Sequence, residues 1–168
     1  MSGLDFYAHV ATRGDVLGVG IGAQPAEWET ALGSDFLDAE DGGLLRRDYG
    51  LVELSFQEEE GAWPCFGVSV QVHRLRGDTE TSVPAALRDA YGTFAPATRF
   101  EVLAAAITGR GCSIELEPDE DGTTGDIHRY RVRGSGVRIF VRADEDAQGQ
   151  AGEVRSLSLS PAWWREEG

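Results

Sequence analysis

The chain has 168 residues, with 29 Asp and Glu against 15 basic residues, and a formal net charge of -14. A domain this acidic repels the anionic backbone of nucleic acid and attracts basic proteins, which excludes the first as a partner class and favours the second. Hydrophobic content of 41% suits a folded globular chain, and no run approaches the ~18 apolar residues of a membrane span, so a membrane protein is not expected either.

Every basic residue is arginine, and asparagine is absent, a codon bias of high-GC bacterial genomes such as those of actinobacteria. The opening MSGLDFYAHVATRGD lacks the basic and apolar regions of a secretory signal, so the expectation is a cytoplasmic protein. Leu4 to Arg13 reads as an amphipathic helix, with Leu4, Tyr7, Ala8 and Ala11 on one face and Gly14 as its stop. LGVGIG (17–22) reads as a strand or turn. Pro25 opens a second helix with Trp28 and Leu32 four apart. SDFLDAEDGG follows as an acidic stretch.

Leu44 to Tyr49 is a predicted strand, and Gly50 a turn. Val52, Leu54 and Phe56 alternate with polar residues at period two. QEEEGAWP is a loop. Phe66, Val68, Val70 and Val72 alternate with Gly67, Ser69, Gln71 and His73, which predicts a strand over 66–73. RGDTETS (76–82) is a linker, and Pro84 to Tyr91 a short helix. Thr98 is a candidate N-cap for a longer helix carrying Phe100, Leu103, Ala104 and Ile107 on one face. Cys112, Ile114 and Leu116 alternate next. Ile127 to Arg133, Val137 to Arg142 and Val154 to Ser160 are three further predicted strands. The tail PAWWREEG is expected to fold its tryptophans back on the core.

This order predicts an α+β fold, a mostly antiparallel sheet with short helices on one face. The chain is expected to form a single compact domain over 1–168. Two stretches, 15–75 and 84–160, run in parallel through helix, acidic turn, Arg-bearing strand and final strand. They read either as two tandem helix-plus-meander units or as one mixed sheet without duplication.

No motif fixes a reaction. The glycines of Gly18-Val19-Gly20-Ile21-Gly22 lack the third glycine of a dinucleotide loop, since that position is Ala23. Asp119-Glu120-Asp121-Gly122 lacks the calcium-loop register, and His9, His73 and His128 share no ligand spacing. Glu53 and Glu115 can be imagined as a glycosidase-like carboxylate pair, but nothing in the sequence sets their separation. Cys65 and Cys112 read as reduced thiols in strand-like segments. The expectation is therefore a protein that is not an enzyme and uses no cofactor or metal.

The remaining signal is four acidic clusters. They are Asp35, Asp38, Glu40 and Asp41; Glu58, Glu59 and Glu60; Glu115, Glu117, Asp119, Glu120 and Asp121; and Asp144, Glu145 and Asp146. One reading is solubility. The other is that several share one edge and dock a basic protein, with Trp63 and Phe66 as aromatic anchors. The partner-binding candidates are Glu58, Glu59, Glu60, Trp63, Asp119, Glu120, Asp121, Asp144, Glu145 and Asp146.

From Gly18 to Leu75 the chain resembles small actinobacterial immunity-type proteins of polymorphic toxin systems. The features that carry the resemblance are a G-x-G opening, a Trp-bearing helix ending in L-G, then LLRRDYGLVELSF and WPCFGVSVQVHRL. The helix-then-meander pattern also looks like the architecture of the streptomycete β-lactamase inhibitor proteins. The resemblance implies a non-enzymatic immunity protein that neutralises a basic cognate toxin domain. The alternative is a structural or adaptor module with no inhibitory role.

Overall fold

A computed structural model describes residues 1–117, 127–145 and 149–161. The order is α1 (Gly3–Arg13), α2 (Pro25–Leu32), β1 (Leu37–Asp41), β2 (Leu44–Asp48), β3 (Val52–Gln57), β4 (Cys65–Val70), a 3-10 helix (Val72–Arg76), α3 (Ala85–Tyr91), α4 (Phe100–Gly109), β5 (Ile114–Glu117), β6 (Ile127–Val132), β7 (Arg138–Arg142) and β8 (Val154–Leu159). The fold is α+β, and every strand pairing is antiparallel.

The eight strands form one sheet in the order β1-β2-β3-β4-β8-β7-β6-β5. Each half is a meander of four strands preceded by two helices. The halves meet last strand to last strand through Val68↔Leu159, Ser69↔Ser158 and Val70↔Leu157. Each meander has a register shift between its third and fourth strands, at Ser55/Phe56 and at Phe140/Val141.

Period-two alternation sorts the two sheet faces. Val52, Leu54 and Phe56 of β3, Val68 and Val70 of β4, Ile139 of β7 and Leu157 of β8 are buried. The residues that alternate with them along the strands, Glu53, Ser55, Ser69 and Ser158, turn the other way. The helices cover the apolar face: Arg47 reaches the Pro25 carbonyl at the start of α2, and Phe100 of α4 stacks on Tyr130 of β6 with ring centroids 4.1 Å apart. Phe6, Tyr7 and Val10 of α1 and Trp28 of α2 complete the core. Gln24 and Glu27 close a capping box at the start of α2, with Pro25 at its first turn.

The structure departs from the sequence reading at five places. The acidic stretch contains β1, whose five residues are all exposed. It carries no apolar alternation. It is held by Arg47 of β2, whose Nε and Nη2 bond the two Asp38 carboxylate oxygens at 2.9 and 3.1 Å. The strand expected over 66–73 runs from Cys65 to Val70, because the chain tightens into the 3-10 helix after Gln71. Val72 stays buried there, joined by Leu75 three residues on, so the core position survives the change of element. The register shift puts Cys65, not Phe66, opposite Phe56, and leaves Phe66 half-buried. The N-cap of α4 is Arg99 rather than Thr98, since Thr98 accepts from Val154 and joins the approach to β8. Cys112 lies before β5, not in it. The tail tryptophans Trp163 and Trp164 lie outside the described residues.

The linker also has a structural task. Ser82 accepts the Leu51 amide at 2.7 Å and straps the β2–β3 turn. Gly50 sits there at φ +92°, and a Cβ on it would lie 2.5 Å from the Ser82 oxygen. Only glycine fits both the backbone angle and the approach.

Candidate partner-binding site

The two hairpins of the first half turn at the same end of the sheet. β1 and β2 join through Gly42 and Gly43, both at positive φ, the signature of a tight two-residue hairpin. The Glu58 amide donates to the Gly43 carbonyl at 2.9 Å, locking the β3–β4 connection onto that turn. Glu59 and Ala62 then exchange two backbone bonds of 2.9 Å, so Glu60 and Gly61 form a second tight tip. Asp41, Glu58, Glu59 and Glu60 thus form one exposed acidic corner. None of these four carboxylates has a cationic partner among the described residues. Trp63 stands beside it, half-buried against the core, its amide donating to Gln24 Oε1 at 2.8 Å.

The second-half clusters lie elsewhere. β4 and β8 are antiparallel, so the β7–β8 connection leaves the sheet at the end where β4 finishes. His73 Nδ1 lies 3.2 Å from the Arg155 carbonyl, and Arg76 pairs with Glu153 at 2.9 Å, both at that far end. Asp144 and Glu145 are exposed there. Asp119, Glu120, Asp121 and Asp146 lie outside the described residues. The described members of the clusters therefore do not share one edge. Asp41 and Glu58 to Glu60 lie at one end, Asp144 and Glu145 at the other, and the first cluster runs between the two along β1, on strands about 20 Å long at ~3.3 Å per residue.

The helix-free face is a lattice of ion pairs around a floor of small residues. Glu53 takes Arg46 at 3.2 Å and Arg74 at 3.0 Å, and Arg74 also takes Asp48 at 2.9 Å. On the other side Glu117 takes Arg138 at 2.9 Å, and Glu115 takes Arg133 at 3.0 Å. Ser55, Gly67, Ser69, Ser156 and Ser158 lie between. Glu53 and Glu115 share one cross-sheet row, through Ser69, Ser158, Arg138 and Arg131. That row spans five strand spacings, about 24 Å at ~4.8 Å each, far beyond a glycosidase pair.

The remaining titratable groups are dispersed. His9 Nε2 lies 2.8 Å from Asp15 Oδ1 at the end of α1, His73 is in the 3-10 helix and His128 in β6. Among the described residues no three His, Cys, Asp or Glu side chains gather to hold a metal ion. Cys65 and Cys112 are free thiols, and burial pushes Cys65 up to about 11. The glycine-rich segment 18–22 is a turn whose end is stitched to β4: Gly22 donates to the Cys65 carbonyl at 2.7 Å, and Cys65 donates to Ala23 at 2.9 Å. Gly18 and Gly22 supply positive φ angles of +85° and +93° with open space around them, and only Gly20 is closely approached, a Cβ there lying 3.1 Å from the Gly14 oxygen. Among the described residues no helix is long and apolar enough to cross a membrane.

Two features escaped the sequence reading. One is the buried Arg47, with its guanidinium carbon 3.7 Å from the centre of the Phe36 ring. Burial acts to lower its pKa, but the hydrogen bond and charge of Asp38 outweigh that and raise it. Its signal was in the sequence, because Arg47 shares strand parity with Leu45. The other is a groove of about 620 Å³ beside the start of β1, bounded by Phe36, Leu37, Tyr49, Val83, Pro84 and Arg88 among others. Nothing local in the sequence foretells it, since three separate segments build it. No known protein family, curated protein or solved structure matches the chain.

Proposed function

We propose that this chain is a non-enzymatic, stoichiometric binder of the immunity type, which neutralises a basic cognate toxin domain in the cytoplasm. The observation that carries the reading is the acidic corner: two hairpins locked together by the Glu58–Gly43 bond, holding carboxylates without cationic partners beside the half-buried Trp63. Unneutralised charge on a fixed scaffold steers a basic protein into encounter, and an adjacent aromatic supplies contact area once it arrives. Asp41, Glu58, Glu59 and Glu60 carry no cationic partner among the described residues, while on the helix-free face Asp48, Glu53, Glu115 and Glu117 are paired with arginines.

The test is protection. The gene for a basic toxin domain encoded next to this chain is expressed with and without it, and the purified pair is titrated by calorimetry. A one-to-one complex with restored growth supports the reading. A complex that forms without protecting the cells favours the adaptor alternative. Absence of any complex overturns both.

A further inference from the structure

We infer that the free edge of β1 is the docking strand for an extended segment of the basic partner, with arginine or lysine at alternate positions, which pairs with it as a ninth strand. This rests on the proposed reading and adds to it the place and mode of binding.

The first support is backbone. β1 ends the sheet, and β2 is its one strand neighbour among the described residues. The Gly42–Gly43 turn makes Asp41↔Leu44 the closing hydrogen-bonded pair. Antiparallel alternation then leaves the N–H and C=O of Asp38 and Glu40 facing outward. An edge of this kind is a template for another strand.

The second support is rigidity. Asp38 is clamped by Arg47, whose side chain is only 7% exposed, and Arg47 in turn lies over Phe36. The edge is therefore formed before any partner arrives, and little ordering cost remains to oppose binding.

The third support is charge. Asp35, Glu40 and Asp41 line this edge without a cationic partner among the described residues. Cross-strand neighbours stand ~4.5–5.5 Å apart, so an added strand brings its side chains directly beside them. A second copy of β1 would set carboxylate against carboxylate and is disfavoured. Basic residues at alternate positions share one face of the added strand and meet Glu40 beside Asp38 on the helix side of β1, or Asp41 on the other side. The opposite edge, β5, lacks this feature, because Glu115 and Glu117 are already paired with Arg133 and Arg138.

The fourth support is the groove at the start of β1. Leu37, 77% exposed, forms its lip, and Phe36, Val83 and Pro84 give it an apolar wall. A strand laid along β1 runs from the acidic corner to this groove, which accepts an apolar side chain at the segment's end.

The probe is the acetylated and amidated hexapeptide LRVRVR, titrated into the isotope-labelled full chain. Binding should shift the Asp38 and Glu40 amide resonances and slow their hydrogen exchange. Glu40→Pro deletes an outward N–H, a change an edge strand tolerates. It should weaken the peptide at least about tenfold with the melting temperature nearly unchanged. The same peptide with alternate backbone amides methylated should fail to bind the native chain, a control that needs no protein variant. Equal binding of the methylated peptide, equal binding by a folded Glu40→Pro chain, or protection confined to other strands overturns the edge mode and leaves the basic-partner reading standing. No binding of LRVRVR overturns the edge proposal as well, and the calorimetric titration of the toxin domain decides the partner reading separately.

Discussion

β1 and β5 hold equivalent places, each the outer strand of a four-strand meander, yet they are tied down on opposite faces of the sheet. On β1 the carboxylate of Asp38 turns to the helix side and meets Arg47, which is buried. On β5 the carboxylates of Glu115 and Glu117 turn to the helix-free side, where Arg133 is 68% exposed. The same residue chemistry therefore does different work. Behind β1 the pair is part of the core and fixes an edge that has no apolar face of its own. Behind β5 water screens the outer pair, and Ile114 packs on the core instead. A buried arginine clamp allows an edge strand to stay acidic and exposed along its whole length.

No single change should cost more than breaking the clamp. Arg47→Ala removes a buried guanidinium that holds the 35% exposed Asp38, together with its packing over Phe36, and should cost about 2 kcal/mol. Urea unfolding measures the loss, and hydrogen exchange should show β1 released while β5 keeps its protection. Glu115→Gln should change stability by no more than about 0.5 kcal/mol. Equal costs at the two edges would void the contrast.

The middle turns sharpen it. Gly50→Ala drives a Cβ into the Ser82 carbonyl at φ +92°, whereas Gly134 at φ +94° has open space around it. Gly50→Ala should cost about 2 kcal/mol and Gly134→Ala about 1 kcal/mol, from backbone angle alone. Thermal melts of the two variants compare them directly.

A smaller effect concerns the seam between the halves. Burial lowers the His73 pKa below its usual value, opposed by the Arg155 carbonyl and reinforced by the charges of Arg155, Arg74 and Arg142. The folded state then resists protonation more than the unfolded chain does. The stability that this histidine contributes is present above about pH 6.5 and falls as pH drops below it. His73→Gln should flatten that slope between pH 7.5 and pH 5, read from urea midpoints.

The smallest effect should be on the acidic corner. Glu58→Gln, Glu59→Gln and Glu60→Gln together should leave stability within about 0.5 kcal/mol, since exposed like charges repel. Association with the basic partner should slow, and its salt dependence should become shallower. An unchanged rate and salt slope would reduce this cluster to a solubility device.

The α+β class and most element positions were legible because alternation and helical period are local signals. Val52, Leu54 and Phe56 are buried as their spacing predicts, as are Trp28 and Leu32. β1 was not legible because Leu37 to Asp41 has no periodic apolar face, and its pairing depends on Arg47 in the next strand. The end of β4 was misread because Val72 and Leu75 reach the core at helical spacing, which continues the alternation by one residue before breaking it. The acidic clusters were visible as composition, but the placement of Asp144 and Glu145 at the end opposite Glu58 to Glu60 follows from the antiparallel pairing of β4 with β8, which no local pattern encodes.

That pairing has a kinetic consequence. Six of the seven strand contacts are hairpins between sequence neighbours, while the β4–β8 seam joins strands from different halves through three registered pairs. Hairpins close in microseconds, whereas contacts between distant segments wait for the chain to search. Each meander can assemble early, but its central strand remains a bare edge until the other half arrives. Val68, Val70, Leu157 and Leu159 are the apolar residues exposed in that interval, so crowding of newly made chains should matter most at this seam.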